Sequence, residues 1–271
     1  MISLRPLVKI WLRRVAGRVA FTLRPSTSGE RAIRVLMYHD ISNEYVPGEW
    51  EQSTTPTTLF AAQMRWLREA GYRVIDGYEA VEMLSGRCPW PAEPLAVLTF
   101  DDGLRSYVRN AWPVLEHLRF PSTLFVATGF VGRDRRYLNW GEVQQLRRSG
   151  LVTCGSHTVS HTKLRGLPAE RVRRELRESK QVMEDHLQRP VTLLAYPYGS
   201  YDTFDESTIA GLKAEGFVGA FTTIAGTNPA GTECFRLRRT RISWVDQLPE
   251  FQMTMAGAFD WYAGYQWALS R

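Results

Sequence analysis

A single α/β domain, with a mostly parallel sheet and helices packed outside it, is predicted for this chain by three observations. Short apolar runs suited to buried strands alternate with longer segments whose apolar residues recur at helical spacing. At 271 residues and 44% hydrophobic content, the chain can bury a core of that size. Residues capable of chemistry, namely His39, Asp101, Asp102, His157 and Tyr196-Pro-Tyr198, each stand just after an apolar run ends. That is the sheet edge where the βα loops of parallel α/β folds converge. The alternation suits either a doubly wound sheet or a closed β/α barrel.

Taken in order, the chain begins with residues 1–30, read as a basic amphipathic extension and linker ahead of a domain spanning residues 31–271. Arg5, Lys9, Arg13, Arg14, Arg18 and Arg24 interleave with Leu7, Ile10, Trp11, Leu12, Val15, Val19 and Phe21. Basic residues interrupt the apolar ones too often for a transmembrane span or a secretory core. The pattern fits a helix lying on an anionic membrane surface through residues 1–25, or one folded back on the domain. Pro25-Ser-Thr-Ser-Gly29 then reads as a linker. Strands are predicted at Ile33 to Tyr38, Tyr72 to Ile75, Leu95 to Phe100, Ser122 to Ala127, Leu151 to Cys154, Val191 to Ala195 and Val218 to Thr222. Helices are predicted at Leu59 to Ala70, stopped by Gly71, and at Leu104 to Leu118, Trp140 to Arg148, Ala169 to Leu187 and Phe204 to Glu215. The long connections, Ser42 to Thr58 and Gly129 to Asn139, are the kind that shape binding sites.

Composition narrows the function classes. Cys88, Cys154 and Cys234 are too few and too scattered for a disulfide framework, and no C-x-x-C spacing suggests a thiolate metal site. A net charge of +6 attracts anions, but the arginines are spread along the chain and no nucleic-acid motif accompanies them, so nucleic acid is not an expected partner.

Two adjacent carboxylates, Asp101 and Asp102, follow directly on an uncharged, apolar-rich run. Neighbours within a strand point to opposite faces, so both serve one site only if the chain turns there, as Gly103 permits. A divalent cation makes such charges tolerable, held by one carboxylate and by His157 and His161 while the other carboxylate stays ionised as a base. The histidines stand four apart, which places both on one face if their segment is helical. Three protein ligands leave positions for water, as in an open catalytic site. The absence of a His-Glu-x-x-His pattern argues against a zinc peptidase of that type.

These residues carry a family resemblance. Thr99-Phe-Asp-Asp-Gly103, Gly155-Ser-His-Thr-Val-Ser-His161-Thr led by Trp140 to Gly150, and Leu194-Ala-Tyr-Pro-Tyr-Gly199 resemble the ordered motifs of the polysaccharide deacetylases, carbohydrate esterases with a NodB-homology domain. The likeness runs over residues 33–245. It implies a distorted (β/α) barrel of about seven parallel strands, a divalent metal, most often Zn2+, and removal of N-acetyl groups from N-acetylhexosamine units of a polysaccharide. By the same resemblance Asp101 is the general base, Asp102, His157 and His161 are the metal ligands, and the backbone N–H of Tyr198 donates to the oxyanion.

Two departures from the family pattern stand out. The arginine that many members place two positions before the proline of the Pro-Tyr motif, where it orients the base, is here Ala195. Arg238 or Arg239 is a candidate substitute, although the run from Phe235 to Arg241 reads mostly as an exposed basic cluster. The late Leu-x-His motif is also missing, and no histidine follows His186. The general acid is therefore sought at His39, because Val35-Leu-Met-Tyr-His-Asp40-Ile resembles an early motif of the subgroup acting on exopolysaccharides. His117 and His186, within predicted helices, are read as structural. Trp140 and Trp244 suit either a sugar groove or the core. Two other functions fit the same residues: a deacetylase or deformylase of a lipid-linked amino sugar, and a non-catalytic carbohydrate-binding protein on this fold.

Overall fold

Eleven strands and eight helices are formed by residues 31–44 and 53–270, the part of the chain that the computed structural model describes. The predicted amphipathic extension over residues 1–30 lies outside the described residues, as does part of the connection from Ser42 to Thr58. The strands are β1 (Ala32–Tyr38), β2 (Asp40–Ile41), β3 (Thr54–Thr55), β4 (Arg73–Ile75), β5 (Leu95–Phe100), β6 (Ser122–Val126), β7 (Val152–Ser156), β8 (Leu193–Ala195), β9 (Gly219–Phe221), β10 (Asn228–Pro229) and β11 (Thr240–Arg241). The helices are α1 (Thr57–Glu69), α2 (Gly77–Leu84), α3 (Trp112–Leu118), α4 (Trp140–Arg148), α5 (Ala169–Leu187), α6 (Glu206–Ala214), α7 (Leu248–Met255) and α8 (Tyr262–Leu269). No helix among the described residues is long and apolar enough to cross a membrane.

Strand order settles the architecture. Neighbours run β1-β5-β6-β7-β8-β9, all parallel, so the order advances in one direction without the reversal that defines a doubly wound sheet. The segment 237–241 joins the two edges. At its start, Leu237 N–H donates to Ala220 O (3.0 Å) and Thr222 N–H donates to Leu237 O (2.8 Å), while at its end β11 pairs with β1. The result is a distorted barrel of seven parallel staves, as the resemblance implies. Distortion comes from β4, which takes the start of β5 on the side that β6 takes further along, and from β10, antiparallel to the start of β1.

Alternation along the strands separates two apolar layers. Ile33, Val35, Leu95, Val97, Leu193 and Leu237 fill the barrel interior, and Ala80, Val81 and Leu84 of α2 pack into the same cluster. Asp76 caps that helix by accepting from Glu79 N–H (2.8 Å). Leu36, Leu98, Phe100, Leu124, Val152 and Cys154 face the other way and pack beneath the surrounding helices. Helix α4 starts where predicted, with a reciprocal capping box between Asn139 and Glu142.

The helix predicted from Leu104 to Leu118 is shorter than its periodicity suggested. Only α3 is α-helical, and Tyr107–Ala111 before it form a π turn. Pro113 in the first turn of α3 lacks the N–H that would continue an α-helix from the preceding residues, so the turn widens there.

Candidate active site

The site is assembled at the C-terminal mouth of the barrel by side-chain parity. The inward column of β1 runs Ile33, Val35, Met37 and then His39, that of β5 runs Leu95, Val97, Thr99 and then Asp101, and that of β7 ends at His157. Asp101 N–H donates to Tyr38 O (3.1 Å) and His157 N–H to Val126 O (2.9 Å), so both residues are still held by the ladders they leave.

Asp102 breaks from the strand. Its φ of +71° lies in the left-handed region, so the turn expected at Gly103 already begins at Asp102 and swings its carboxylate toward the histidines. His157 and His161 also differ from expectation, because their segment is a loop and not a helix. Thr158 (φ +64°) and His161 (φ +54°) are left-handed, and this double reversal, rather than helical spacing, brings the rings to 4.7 Å between centroids. Six non-glycine residues among those described have positive φ. Arg119 and Gln188 end helices, whereas Asp102, Thr158, His161 and Tyr198 all belong to this site. Clustered backbone strain of this kind is held in place only where the surroundings over-determine it.

The three expected ligands converge. Asp102 Oδ1 lies 3.5 Å from His157 Nε2 and 3.4 Å from His161 Nε2, and candidate donor atoms of all three lie within 4.8 Å of one another. Ligand atoms bound at about 2.0–2.1 Å to a tetrahedral zinc ion stand about 3.4 Å apart, so the spacing fits such an ion. Asp102 Oδ1 is buried without a hydrogen-bond partner, the condition of a carboxylate oxygen shaped for a cation. His157 Nδ1–H donates to Ala195 O (2.7 Å), which fixes the tautomer and leaves Nε2 with a free lone pair. His161 keeps 21% of its side chain exposed, leaving the triad accessible from the mouth.

The charges follow from burial and neighbours. Burial alone would raise Asp102, but His157, His39 and His161 together hold its carboxyl well below the usual range. His161 is pushed down to about 4 by desolvation and by the neighbouring His157. His157 moves upward: desolvation lowers it, but Asp102 and Asp101 outweigh that effect. His39 is lowered, chiefly by burial, and its Nδ1 has no hydrogen-bond partner.

Asp101 is 2% exposed, and its partner is Arg239, which is fully buried. The guanidinium donates from Nη1 to Oδ1 (2.7 Å) and from Nη2 to Oδ2 (2.8 Å), and Nη1 also reaches Thr99 Oγ1 (3.1 Å). Its Nε–H donates to Thr222 O (2.7 Å), and Phe125 lies beneath the guanidinium at 5.6 Å. Burial would raise the Asp101 carboxyl, yet Arg239 and His157 hold it below its ordinary value. The reading of this run as an exposed basic cluster thus fails at Arg239, whose inward parity with Leu237 carries it into the barrel, while Arg238 is exposed.

Tyr198 and Gly199 form a left-handed turn at φ +62° and +63°. A Cβ on Gly199 would sit 2.6 Å from Thr223 N, so only glycine fits that close approach. The Tyr198 N–H donates to no protein acceptor among the described residues, and the Tyr198 ring lies 5.0 Å from that of His161. Phe130, from the long Gly129 to Asn139 connection, lies on His161 at 6.1 Å. Trp140 stacks on His186 at 4.1 Å and packs against the outer core, which places both in structural roles. Glu175 of α5, not singled out from sequence, binds the loop between the two histidines.

Residues 91–218 match the family described as polysaccharide deacetylase. YxkH of Bacillus subtilis (strain 168), which carries the polysaccharide deacetylase family name, is 28% identical over 209 residues, covering 77% of this chain and 71% of that protein. The poly-beta-1,6-N-acetyl-D-glucosamine N-deacetylase of Escherichia coli (strain K12) is 28% identical over 137 residues, 45% of this chain but only 20% of that longer protein. Among solved structures, IcaB from Ammonifex degensii superposes with a TM-score of 0.73 at 27% identity, covering 85% of this chain and 97% of that one.

Proposed function

We propose that this chain, whose residues 91–218 match the polysaccharide deacetylase family, is a metal-dependent hydrolase removing N-acetyl groups from N-acetylhexosamine units of a polysaccharide. A β-1,6-linked N-acetylglucosamine polymer is the substrate favoured by the likeness to the Escherichia coli enzyme. The observation that carries the reading is the buried, unpartnered Asp102 Oδ1 facing His157 and His161, beside a base whose charge is held by Arg239. Asp102, His157 and His161 would hold the cation, with Zn2+ suiting their mixed imidazole and carboxylate donors. Such an ion supplies Lewis acidity, polarising the acetamide carbonyl and lowering the pKa of water.

The chain's own residues supply the remainder. Asp101, ionised and held rigid by two hydrogen bonds, is the base that takes the proton of the attacking water. The Tyr198 N–H, fixed by its left-handed turn, is the donor for the oxyanion. His39, at the end of the inward column of β1, is the imidazole that protonates the leaving amine. A base so carefully charged is not required by mere carbohydrate binding, which favours the enzyme over a silent binding protein. The basic stretch over residues 1–25 is proposed to bring the domain to an anionic membrane surface.

The test is acetate release from short N-acetylglucosamine oligomers, with metal content measured on each protein. Asp101→Asn is expected to keep its metal and to lose about 10²–10⁴-fold in kcat, and His39→Asn to fall by a comparable factor. Absence of acetate release by the metal-loaded wild type on any amino-sugar oligomer would overturn the reading.

A further inference from the structure

The loop that joins the two histidines has left the sheet, so the ladder no longer satisfies its backbone. Val159 and Ser160 lie between the left-handed residues Thr158 and His161, and their N–H groups point away from β6 and β7 toward α5. Glu175 meets them there. Its Oε2 accepts from Val159 N–H (2.9 Å) and Ser160 N–H (3.0 Å), and its Oε1 accepts from Ser160 Oγ–H (2.6 Å). The residue is 5% exposed, and no cation pairs with it among the described residues, so its charge is compensated by this loop.

On the opposite side, Thr128 N–H donates to Thr158 O (3.1 Å) and Gly129 N–H to Val159 O (2.9 Å). One helical turn beyond Glu175, Ser179 Oγ bonds Ser156 Oγ (2.7 Å), which itself accepts from Thr158 N–H (3.1 Å). The loop is therefore clamped between the end of β6 and one face of α5. His161 has no strand beneath it, and its own N–H is taken by Thr158 Oγ1 (3.1 Å) inside the same loop. Its ring position depends on the loop being held.

We infer that Glu175 is a positioning residue for the metal centre: its carboxylate fixes the strained loop so that His161 Nε2 stands at ligand distance from Asp102 and His157. The inference rests on the metal-dependent reading above. It differs from a cap that merely stabilises the fold, because loosening the loop frees one of three ligands while leaving the barrel intact.

The experiment compares full-length wild type with Glu175→Ala and Glu175→Gln. Zinc affinity is read by competition with a chromogenic chelator, ligand geometry by the visible absorption of the cobalt(II) form, stability by urea unfolding, and kcat and KM separately on an N-acetylglucosamine oligomer. Glu175→Ala is expected to weaken zinc by about 10–100-fold, as loss of supporting partners around a ligand does, with an altered cobalt spectrum and a fall in kcat at unchanged KM. Glu175→Gln keeps one acceptor oxygen for the two N–H groups and should recover most of the affinity. Zinc affinity within twofold of wild type and an identical cobalt spectrum in Glu175→Ala, with only the urea midpoint lowered, would overturn the inference. Should Glu175→Ala fail to fold, Glu175→Asp draws the carboxylate back by one methylene from the two N–H groups; a measurable weakening of zinc supports the inference, and unchanged affinity with an unchanged cobalt spectrum overturns it. A wild type that binds neither zinc nor cobalt would instead sink the metal-dependent reading itself.

Discussion

Asp101 and Arg239 form a doubly hydrogen-bonded ion pair with both side chains excluded from water. Removing one member of such a pair leaves an uncompensated charge in the interior, which costs about 3–5 kcal/mol. Arg239→Met is therefore expected to lower stability by about that amount in urea unfolding at neutral pH. The sign with pH follows from the direction of the Asp101 shift. Its folded pKa is depressed, so the pair's contribution is complete above the ordinary carboxylate value and is lost as pH falls through the folded one. The difference between wild type and variant should shrink below about pH 4. Without the guanidinium, desolvation dominates and the Asp101 pKa rises, so the acid limb of kcat/KM should move to higher pH. The carboxylates and histidines were legible from their motifs, whereas the choice of Arg239 over Arg238 was not. Phe235-Arg-Leu-Arg-Arg holds two apolar residues that enter different clusters, and only pairing with β9 and β1 shows that Arg239 shares the face of Leu237.

The elements place these side chains with little room to spare. Gly155, on the inward column of β7 just before His157, lies where a Cβ would come within 2.5 Å of Phe125 Cε1, and Phe125 supports Arg239 from beneath. Gly155→Ala should therefore push Phe125 off its place and cost about 1–3 kcal/mol by overpacking, read as a lower urea midpoint with an unchanged slope. The seven long strands were legible because each is a bounded apolar run. Helix α2 was not, because at 8 residues it spans barely two turns, too few for Ala80, Val81 and Leu84 to register as a period. The path from His157 to His161 was left open by the sequence, because spacing reports distance along the chain, while two left-handed residues set the actual path.

For the whole molecule, the proposed metal site ties the end of β5 to the loop after β7, two parts of the barrel mouth far apart in sequence. An ion bound there acts on the folded state alone. At a free concentration of one hundred times Kd it should add about 2.7 kcal/mol, raising Tm by roughly 5–10 °C for a domain of this size, and a chelator should reverse the gain. His157 is shifted upward and must shed its proton to bind, so the gain should fade as pH drops through that raised value. Differential scanning calorimetry with and without zinc, repeated across pH, checks both statements.

By itself the sequence determined the alternation of strands and helices, the sheet edge where the candidate site lies, and the candidates Asp101, Asp102, His157 and His161, because these depend on local periodicity and on residues near each strand's end. Only the tertiary structure decided that the sheet closes through the segment 237–241, that Arg239 is the arginine paired with Asp101, and that Glu175 holds the loop from His157 to His161. Each of those depends on contacts between segments distant along the chain, whose partners are set by closure of the barrel and not by any local pattern.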